Sequence, residues 1–170
     1  KEEVNIEDCV RNVLDFLNHE VAAKKIKIES YFTEELRIHA NKREIEEIIF
    51  NIVLNACQAM VEGGKLQINA IEKGYRCLIL IRDTGPGIPK HLLKKIFEPF
   101  YSGRAEGGTG LGLFICQFLA EQNGGRIQLN SKVGGGTLFI LDFPLADKSM
   151  NQPKNSGEDS IEHAVQMERG

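Results

Sequence analysis

The amino-acid sequence predicts a two-layer α/β sandwich, in which helices cover one face of a mixed β-sheet. Two observations predict this fold. Segments with apolar residues at helical spacing alternate with short β-prone runs, and several of these runs follow one another in hairpin-like pairs. This order of elements argues against a doubly wound parallel sheet.

The first half of the chain contains two predicted helices with one strand between them. Apolar residues recur at helical spacing over residues 6–21, and two lysines then close the pattern with charges that suit a helix C-terminus. The alternation over Ile26–Phe32 predicts a strand. A longer helix follows, with a buried stripe over residues 45–60, and a glycine pair ends it.

The second half adds a hairpin, a third helix and two further strands. Residues 66–71 and 78–81 are β-prone runs that a Lys-Gly turn separates, which predicts a hairpin. Residues 113–119 have helical spacing, and an Asn-Gly-Gly sequence stops the helix. The last two strands are predicted over residues 126–130 and 137–143.

Composition excludes several classes of protein. The chain has 170 residues, 42% of them hydrophobic and 26% charged, which fits one globular domain with a sizeable core. A net charge of -3 gives no basic field of the kind that attracts nucleic acid, so no nucleic-acid partner is expected. No apolar run approaches the ~20 residues of a membrane span. The four cysteines are scattered without a C-x-x-C pair, and we expect them to be reduced core residues.

The composition changes near the C-terminal end of the chain. Residues 1–146 are predicted to form the domain, whereas residues 147–170 are mostly polar and are predicted to be a disordered tail or a linker. In this second stretch, Ile161, Val165 and Met167 are the residues suited to packing against another surface.

Three amide side chains form the first group of residues that could carry chemistry. Asn51, Asn55 and Gln58 lie at i, i+4 and i+7, so they project from one side of the second long helix, beside its apolar stripe. Neutral carboxamides can hold a hard cation such as Mg²⁺ through oxygen and can hydrogen-bond a phosphate without repelling it. Taken alone, an Asn pair is more typical of solvated polar residues or local caps.

The second group is the sequence DTGPGIP at residues 83–89, directly after a predicted strand. Gly85 and Gly87 allow close backbone approach, and Asp83 offers an acceptor at a strand end where an exocyclic amine could dock. Taken alone, this motif is a tight turn more often than a nucleotide site.

The third group is the run over residues 97–113, which carries five glycines. Its last part can present successive backbone N–H groups at the start of the third helix, where the helix dipole favours anions such as phosphate. The run has no G-K-[ST] and follows no strand, so it is neither a Walker loop nor the dinucleotide fingerprint. A glycine-rich flexible loop without a ligand is the alternative interpretation.

Five motifs occur together in one order: N-x-x-x-N-A on a helix, D-x-G-x-G after a strand, F-E-P-F, G-T-G-L-G-L opening a helix, and G-G-G-T before a strand. With this order the chain resembles the ATPase domain of histidine kinases, of the superfamily that includes gyrase, heat-shock chaperone and mismatch-repair ATPases. The resemblance spans residues 4–145. It implies that the ligands are ATP and Mg²⁺ and that the glycine-rich run is an ATP lid.

The resemblance assigns roles near the adenine and the metal. Asn55 matches the family's magnesium ligand, and Asn51 matches its companion near the triphosphate. Asp83 resembles the aspartate that accepts a hydrogen bond from the adenine amine. The residues implied to shape the adenine pocket around it are Gly85, Gly87, Ile88 and Thr137.

The resemblance also assigns roles in the lid. Phe97 and Phe100 resemble its aromatic anchors, and Arg104 lies where the family often has a basic residue. Arg104 is therefore the candidate catalytic residue, as a clamp on the phosphates. Gln58 departs from members with a lysine there, which leaves Arg104 or Lys95 to neutralise charge. The residues implied to face the phosphates are Gly108, Thr109, Gly110, Leu111, Gly112 and Leu113.

Asn51 decides between reaction types. Superfamily members that hydrolyse ATP resemble one another in having glutamate at this position, and a carboxamide cannot act as the general base that activates water. The resemblance therefore favours a protein histidine kinase over an ATPase. A regulatory module that binds nucleotide without phosphotransfer is the other alternative.

The resemblance implies partners that the chain itself lacks. The phosphoacceptor histidine is expected on a separate domain N-terminal to Lys1, because His19 lies within the first helix of this domain and His39, His91 and His163 have no supporting context. A response-regulator receiver domain is the second implied partner. The parent kinase is expected to be a homodimer with this domain in the cytoplasm, and the sequence leaves open whether the parent is membrane-anchored.

Overall fold

The computed structural model describes residues 1–32, 35–102 and 109–146. Within these ranges the chain forms seven strands and four helices, with two short 3-10 turns at Lys90–Leu92 and Lys95–Phe97. In chain order the strands and helices are β1 (Glu2–Asn5), α1 (Ile6–Phe16), α2 (Asn18–Ala23), β2 (Ile26–Phe32), β3 (Arg37–Ala40), α3 (Lys42–Ala59), β4 (Gly64–Lys73), β5 (Arg76–Asp83), α4 (Gly112–Gln122), β6 (Arg126–Ser131) and β7 (Thr137–Pro144).

Five strands form the main sheet, in the order β2-β4-β5-β7-β6. β2 and β4 run parallel, whereas the other neighbouring strands run antiparallel, so the sheet is mixed. β4 and β5 form the predicted hairpin, and the last two predicted strands pair as β6 and β7. The predicted mixed-sheet α/β fold is confirmed.

A two-stranded ribbon of β1 and β3 was not predicted. The two strands have four residues each, and Val4 pairs with Ile38 across the ribbon. Both side chains are buried in the main core. So short a run gives too little alternation to indicate a strand, and its partner lies more than thirty residues away.

The first predicted helix is two helices. α1 ends at Phe16, and α2 begins at Asn18. At the junction, Leu17 has φ -90° and ψ 8°, which departs from helical geometry. Its side chain still points into the core, so the apolar periodicity continues across the break and conceals it from sequence reasoning. None of the helices in the described ranges has the length and apolar character needed to span a bilayer.

The main core lies between the helices and one face of the sheet. α3 contributes its predicted stripe, and the inward-facing residues of the central strands pack against it. The four cysteines are buried and unbridged, as expected. Burial raises the pKa of the Cys9, Cys77 and Cys116 thiols to about 12, so these side chains remain neutral core residues.

Asn123, directly after α4, ties this helix to the start of α3. Its side-chain oxygen accepts a hydrogen bond from the backbone N–H of Asn41 at 2.8 Å. Its side-chain nitrogen donates to Glu44 Oε2 at 2.7 Å and to the Leu119 carbonyl at 2.8 Å. The residue is 2% exposed, so these bonds replace water for a buried amide.

We expect Asn123→Ala to lower the free energy of unfolding by about 2–3 kcal/mol, because it leaves the Asn41 N–H and one oxygen of the Glu44 carboxylate without their partner. Urea unfolding measures this change. Gln122→Ala is the control, since that side chain is exposed at the neighbouring position. Equal stability of the two variants would show that the tie between α3 and α4 contributes little.

Candidate functional site

The amide side chains of α3 lie beside its buried stripe. Asn51, Asn55 and Gln58 are all half-buried. The Asn51 side-chain nitrogen donates to the Glu47 carbonyl at 3.0 Å, which turns its oxygen away from its own helix. A Cβ placed on Gly112 would lie 3.1 Å from that oxygen. The Asn51 amide therefore contacts the first residue of α4, where a larger side chain would crowd it.

Asp83 ends β5 as a nearly buried carboxylate. It is 6% exposed, and its Oδ1 accepts a hydrogen bond from the Gly85 N–H at 2.8 Å. Burial raises the pKa of Asp83, although the backbone N–H groups of Gly85 and Thr137 oppose this effect. The carboxylate is thus held at a strand end by backbone donors, where it can accept a further hydrogen bond from a ligand.

The loop after Asp83 is fixed by a second glycine turn. Gly87 has φ +73°, and a Cβ there would lie 2.0 Å from the Lys132 carbonyl oxygen. Gly136 also has φ +73°, and a Cβ there would lie 2.0 Å from the Asp83 carbonyl oxygen. The Gly134 N–H donates to the Pro86 carbonyl at 2.8 Å. The two turns therefore pack backbone against backbone, which excludes side chains at these contacts.

Thr137 and Ile88 meet at Ser131, which sequence reasoning missed. The Ile88 N–H donates to Ser131 Oγ at 2.8 Å, and Ser131 Oγ lies 2.9 Å from Thr137 Oγ1. Thr137 pairs with Asp83 across β5 and β7, so the hydroxyl pair lies beside the buried carboxylate. No motif marks Ser131, because an isolated serine at a strand end is common in turns.

The start of α4 offers backbone donors. Leu111 precedes the helix without a side-chain cap, and the first N–H groups of a helix have no partner within it. Gly110 has φ +67°, and a Cβ there would lie 2.4 Å from the Phe100 carbonyl carbon. The Thr109 hydroxyl accepts from the Leu111 N–H at 3.4 Å. The N–H groups of the first helical turn, from Gly112 onward, are therefore available to an anion.

The two predicted aromatic anchors differ in this structure. Phe97 and Leu113 pack against the main core. The Phe100 ring is 78% exposed, and its backbone has φ +66°. Lys95 is exposed on the 3-10 turn that Phe97 ends. Arg104 and Gly108 lie outside the described residues.

The predicted residues form two groups that Gly85 connects. One contains Asn51 and the start of α4, with Asn55 one helical turn further along α3, and the other contains Asp83 and Thr137. A Cβ on Gly85 would lie 3.4 Å from the Ala59 Cβ, one helical turn after Asn55. Among the described residues, no group of three or more His, Cys, Asp or Glu could hold a metal ion by itself.

The family described as histidine kinase-, DNA gyrase B- and HSP90-like ATPases matches residues 40–147. The chain belongs to this family. The predicted membership is confirmed, and the matched residues of this ATPase domain include α3, the loop after β5, α4 and the last two strands.

Known relatives of the ATPase domain include sensor kinases. The alginate biosynthesis sensor protein KinB of Pseudomonas aeruginosa is 37% identical over 125 residues, which are 72% of this chain and 21% of that protein. The solved catalytic domain of the histidine kinase ThkA has a TM-score of 0.77 and 30% identity, and the match covers 84% of this chain and 94% of that one.

A second solved structure contains ThkA in complex with the response regulator protein TrrA. It matches with a TM-score of 0.74 and 28% identity, over 87% of this chain and 42% of that one. The ATPase domain spans about a fifth of the length of KinB, whereas it matches nearly all of the isolated ThkA catalytic domain.

We expect Asp83→Asn to be more stable than the wild-type chain at pH 7. Because burial raises the Asp83 pKa, the folded chain holds this proton more tightly than the unfolded chain does. The free energy of unfolding therefore falls as pH rises from the ordinary pKa of 3.8 through the raised one, and asparagine removes this loss. Urea unfolding at a series of pH values measures the difference, which should shrink as the buffer becomes acidic.

Asp15→Asn is the control for that experiment, since it removes a carboxylate from the exposed side of α1. The same pH dependence in Asp83→Asn and in the wild-type chain would contradict the assigned cause.

Proposed function

We propose that this chain is the catalytic ATP-binding domain of a two-component sensor histidine kinase. It binds ATP with Mg²⁺ and donates the γ-phosphoryl group to a histidine on a separate domain of the parent protein. The observation that carries the proposal is the contact between the Asn51 carboxamide and the start of α4, because it puts an amide rather than a carboxylate beside the helix N-terminus suited to phosphate.

The arrangement around Asp83 supports adenine binding. Its buried carboxylate is held by backbone donors and is an acceptor for the exocyclic amine of adenine. Thr137 and Ser131 add hydroxyl groups beside it, and Gly85 and Gly87 let the loop after Asp83 pack closely on Ala59 and on the Lys132 carbonyl. The uncapped N–H groups at the start of α4 suit the phosphates.

The donor set suits Mg²⁺ with few protein ligands. Asn55 supplies a neutral oxygen from α3, and Mg²⁺ in nucleotide sites takes most of its ligands from phosphate and water. Bound there, the ion would screen the charge of the phosphate oxygens. Arg104 remains the proposed basic clamp from the lid, with Lys95 as the alternative.

Asn51 favours phosphotransfer over hydrolysis. A carboxamide cannot take a proton from water, so bound ATP is spared until another nucleophile arrives. A histidine imidazole on the phosphoacceptor domain would be that nucleophile, and the chain would supply positioning and charge stabilisation. An ATPase with another base, and a regulatory module that binds nucleotide without transfer, are the competing functions.

The partners follow from the same reaction. The parent protein supplies the phosphoacceptor domain, as a homodimer, and a receiver domain accepts the phosphoryl group from it. The ThkA structure with its response regulator supports the second partner. We propose that the domain lies in the cytoplasm, because ATP is found there.

We expect Asn55→Ala to weaken the magnesium-dependent part of ATP affinity about ten-fold or more, because the metal loses its protein oxygen. Calorimetric titration with Mg²⁺ and with a chelator measures this part. The fold should persist, since Asn55 is half-buried beside the apolar stripe. Asn18→Ala, an exposed asparagine of α2, is the control. Unchanged magnesium-dependent affinity would refute the metal assignment.

We expect the chain alone to bind Mg-ATP but to hydrolyse it very slowly and to leave itself unlabelled. With the parent's acceptor hairpin added in trans, labelled ATP should yield an acid-labile, alkali-stable phosphohistidine on the hairpin. Arg104→Ala should slow this transfer about 100-fold, as does the loss of a group that stabilises developing charge.

Three outcomes would contradict the proposed kinase reaction in different ways. Rapid ATP turnover by the chain alone would identify an ATPase with a base other than Asn51. ATP binding without any transfer would identify a regulatory module. Labelling of His19 would place the acceptor within this chain.

A further inference from the structure

The sheet face opposite the main core carries a second apolar cluster. Leu78 and Leu80 of β5 and Leu138 and Ile140 of β7 form this outer-face cluster, with Ile71 of β4 packed against it. The alternate residues of the same strands, such as Ile79 and Leu141, face the main core instead. All of its described members come from strands, and no described helix residue belongs to it.

The low solvent exposure of this cluster requires that other residues cover it. Its four main side chains are between 0% and 3% exposed. The neighbours on this face within the described ranges are side chains of the same sheet, since Asn69 pairs with Leu80 and Gln128 pairs with Ile140. An uncovered sheet face of this kind leaves large aliphatic side chains in contact with water. Such low exposure therefore indicates a layer over the outer face.

The outer face is basic around the cluster. Arg76 and Arg126 both bind the fully buried Asp142 carboxylate, at 2.6 Å and 2.9 Å. Arg82 and Lys73 lie on the same face, because residues directly opposite one another across strands share a face. Over the described residues this face carries six cations (Lys27, Lys65, Lys73, Arg76, Arg82 and Arg126) and two carboxylates (Glu29 and Asp142), so an acidic, partly apolar segment would complement its excess of positive charge.

We propose that residues 158–168 of this chain dock on the outer-face cluster. The segment carries Glu158, Asp159, Glu162 and Glu168 and has no lysine or arginine. In a helix, Ile161, Ala164 and Val165, at i, i+3 and i+4, would share one side. The segment thus pairs an apolar stripe with acidic flanks, which matches an apolar cluster with a basic rim. This inference is independent of the proposed function.

The connecting chain is long enough for this arrangement. β7 ends at Pro144, and residues 147–160 link it to the first apolar residue of the segment. Fourteen extended residues reach up to about 46 Å. An eight-residue strand is only about 27 Å long, so the chain can return over the sheet. Within the predicted tail, residues 147–157 would then be the linker and residues 158–168 the docking segment.

A second copy of the chain fits the same surface less well. Two identical outer faces in a symmetric dimer would bring their arginines together, and like charges across an interface disfavour association. The acidic segment avoids this repulsion.

Methyl NMR on the full chain tests the proposal. We expect Ile161→Asp with Val165→Asp to shift the methyl signals of Leu78, Leu80, Leu138 and Ile140 and to lower the thermal midpoint by about 5 °C. His163→Asp with Gln166→Asp is the matched control, because it adds the same charge on the side of the proposed helix opposite Ile161 and Val165. The control should leave these four residues unchanged.

Unchanged methyl signals of Ile49 and Leu141, in the main core, would show that the fold is intact in both variants. If the double aspartate variant unfolds, Val165→Ala should still shift the same four residues by a smaller amount. Equal shifts in test and control variants, or no shift in either, would overturn the proposal. So would contacts between differently labelled copies at the cluster in the wild-type chain, since a second copy would then be the cover.

Discussion

The antiparallel pairing of β5 with β7 is the interaction on which the candidate site depends. It places Asp83 opposite Thr137 at the ends of two central strands, and it continues to that point because Gly136 packs directly on the Asp83 carbonyl. A side chain at residue 136 would force the strands apart there. The buried carboxylate, the hydroxyl pair and the loop that ends at Ile88 all take their positions from this pairing.

α4 is fixed relative to α3 at both of its ends. At the C-terminal end, Asn123 bonds to the backbone and first turn of α3. At the N-terminal end, Gly112 packs on the Asn51 amide, which lies about two turns beyond Glu44 along α3. The helix therefore presents its uncapped N–H groups at a set place beside Asn51, without needing a ligand to orient it.

The two buried carboxylates of the sheet have different kinds of hydrogen-bond partner. Asp142 is fully buried and is neutralised by two guanidinium groups. Asp83 is almost as buried, but its partners are backbone N–H groups, and its pKa is raised. A buried carboxylate that is paired with cations is typical of a structural site. A buried carboxylate without a cationic partner, whose pKa is therefore raised, is typical of a binding site where a ligand supplies the missing partner.

The sequence by itself determined the order of most helices and strands, the hairpins, the family and the candidate site residues. These follow from local periodicity and from glycine motifs that a strand end or helix start requires, such as those around Asp83 and Gly112. Only the tertiary structure decided the β1–β3 ribbon, the break at Leu17, and the roles of Ser131 and Asn123. It also showed the apolar cluster on the outer face. Each of these depends on contacts between residues far apart in the chain, and a single polar residue or a four-residue strand carries no local pattern that specifies its partner.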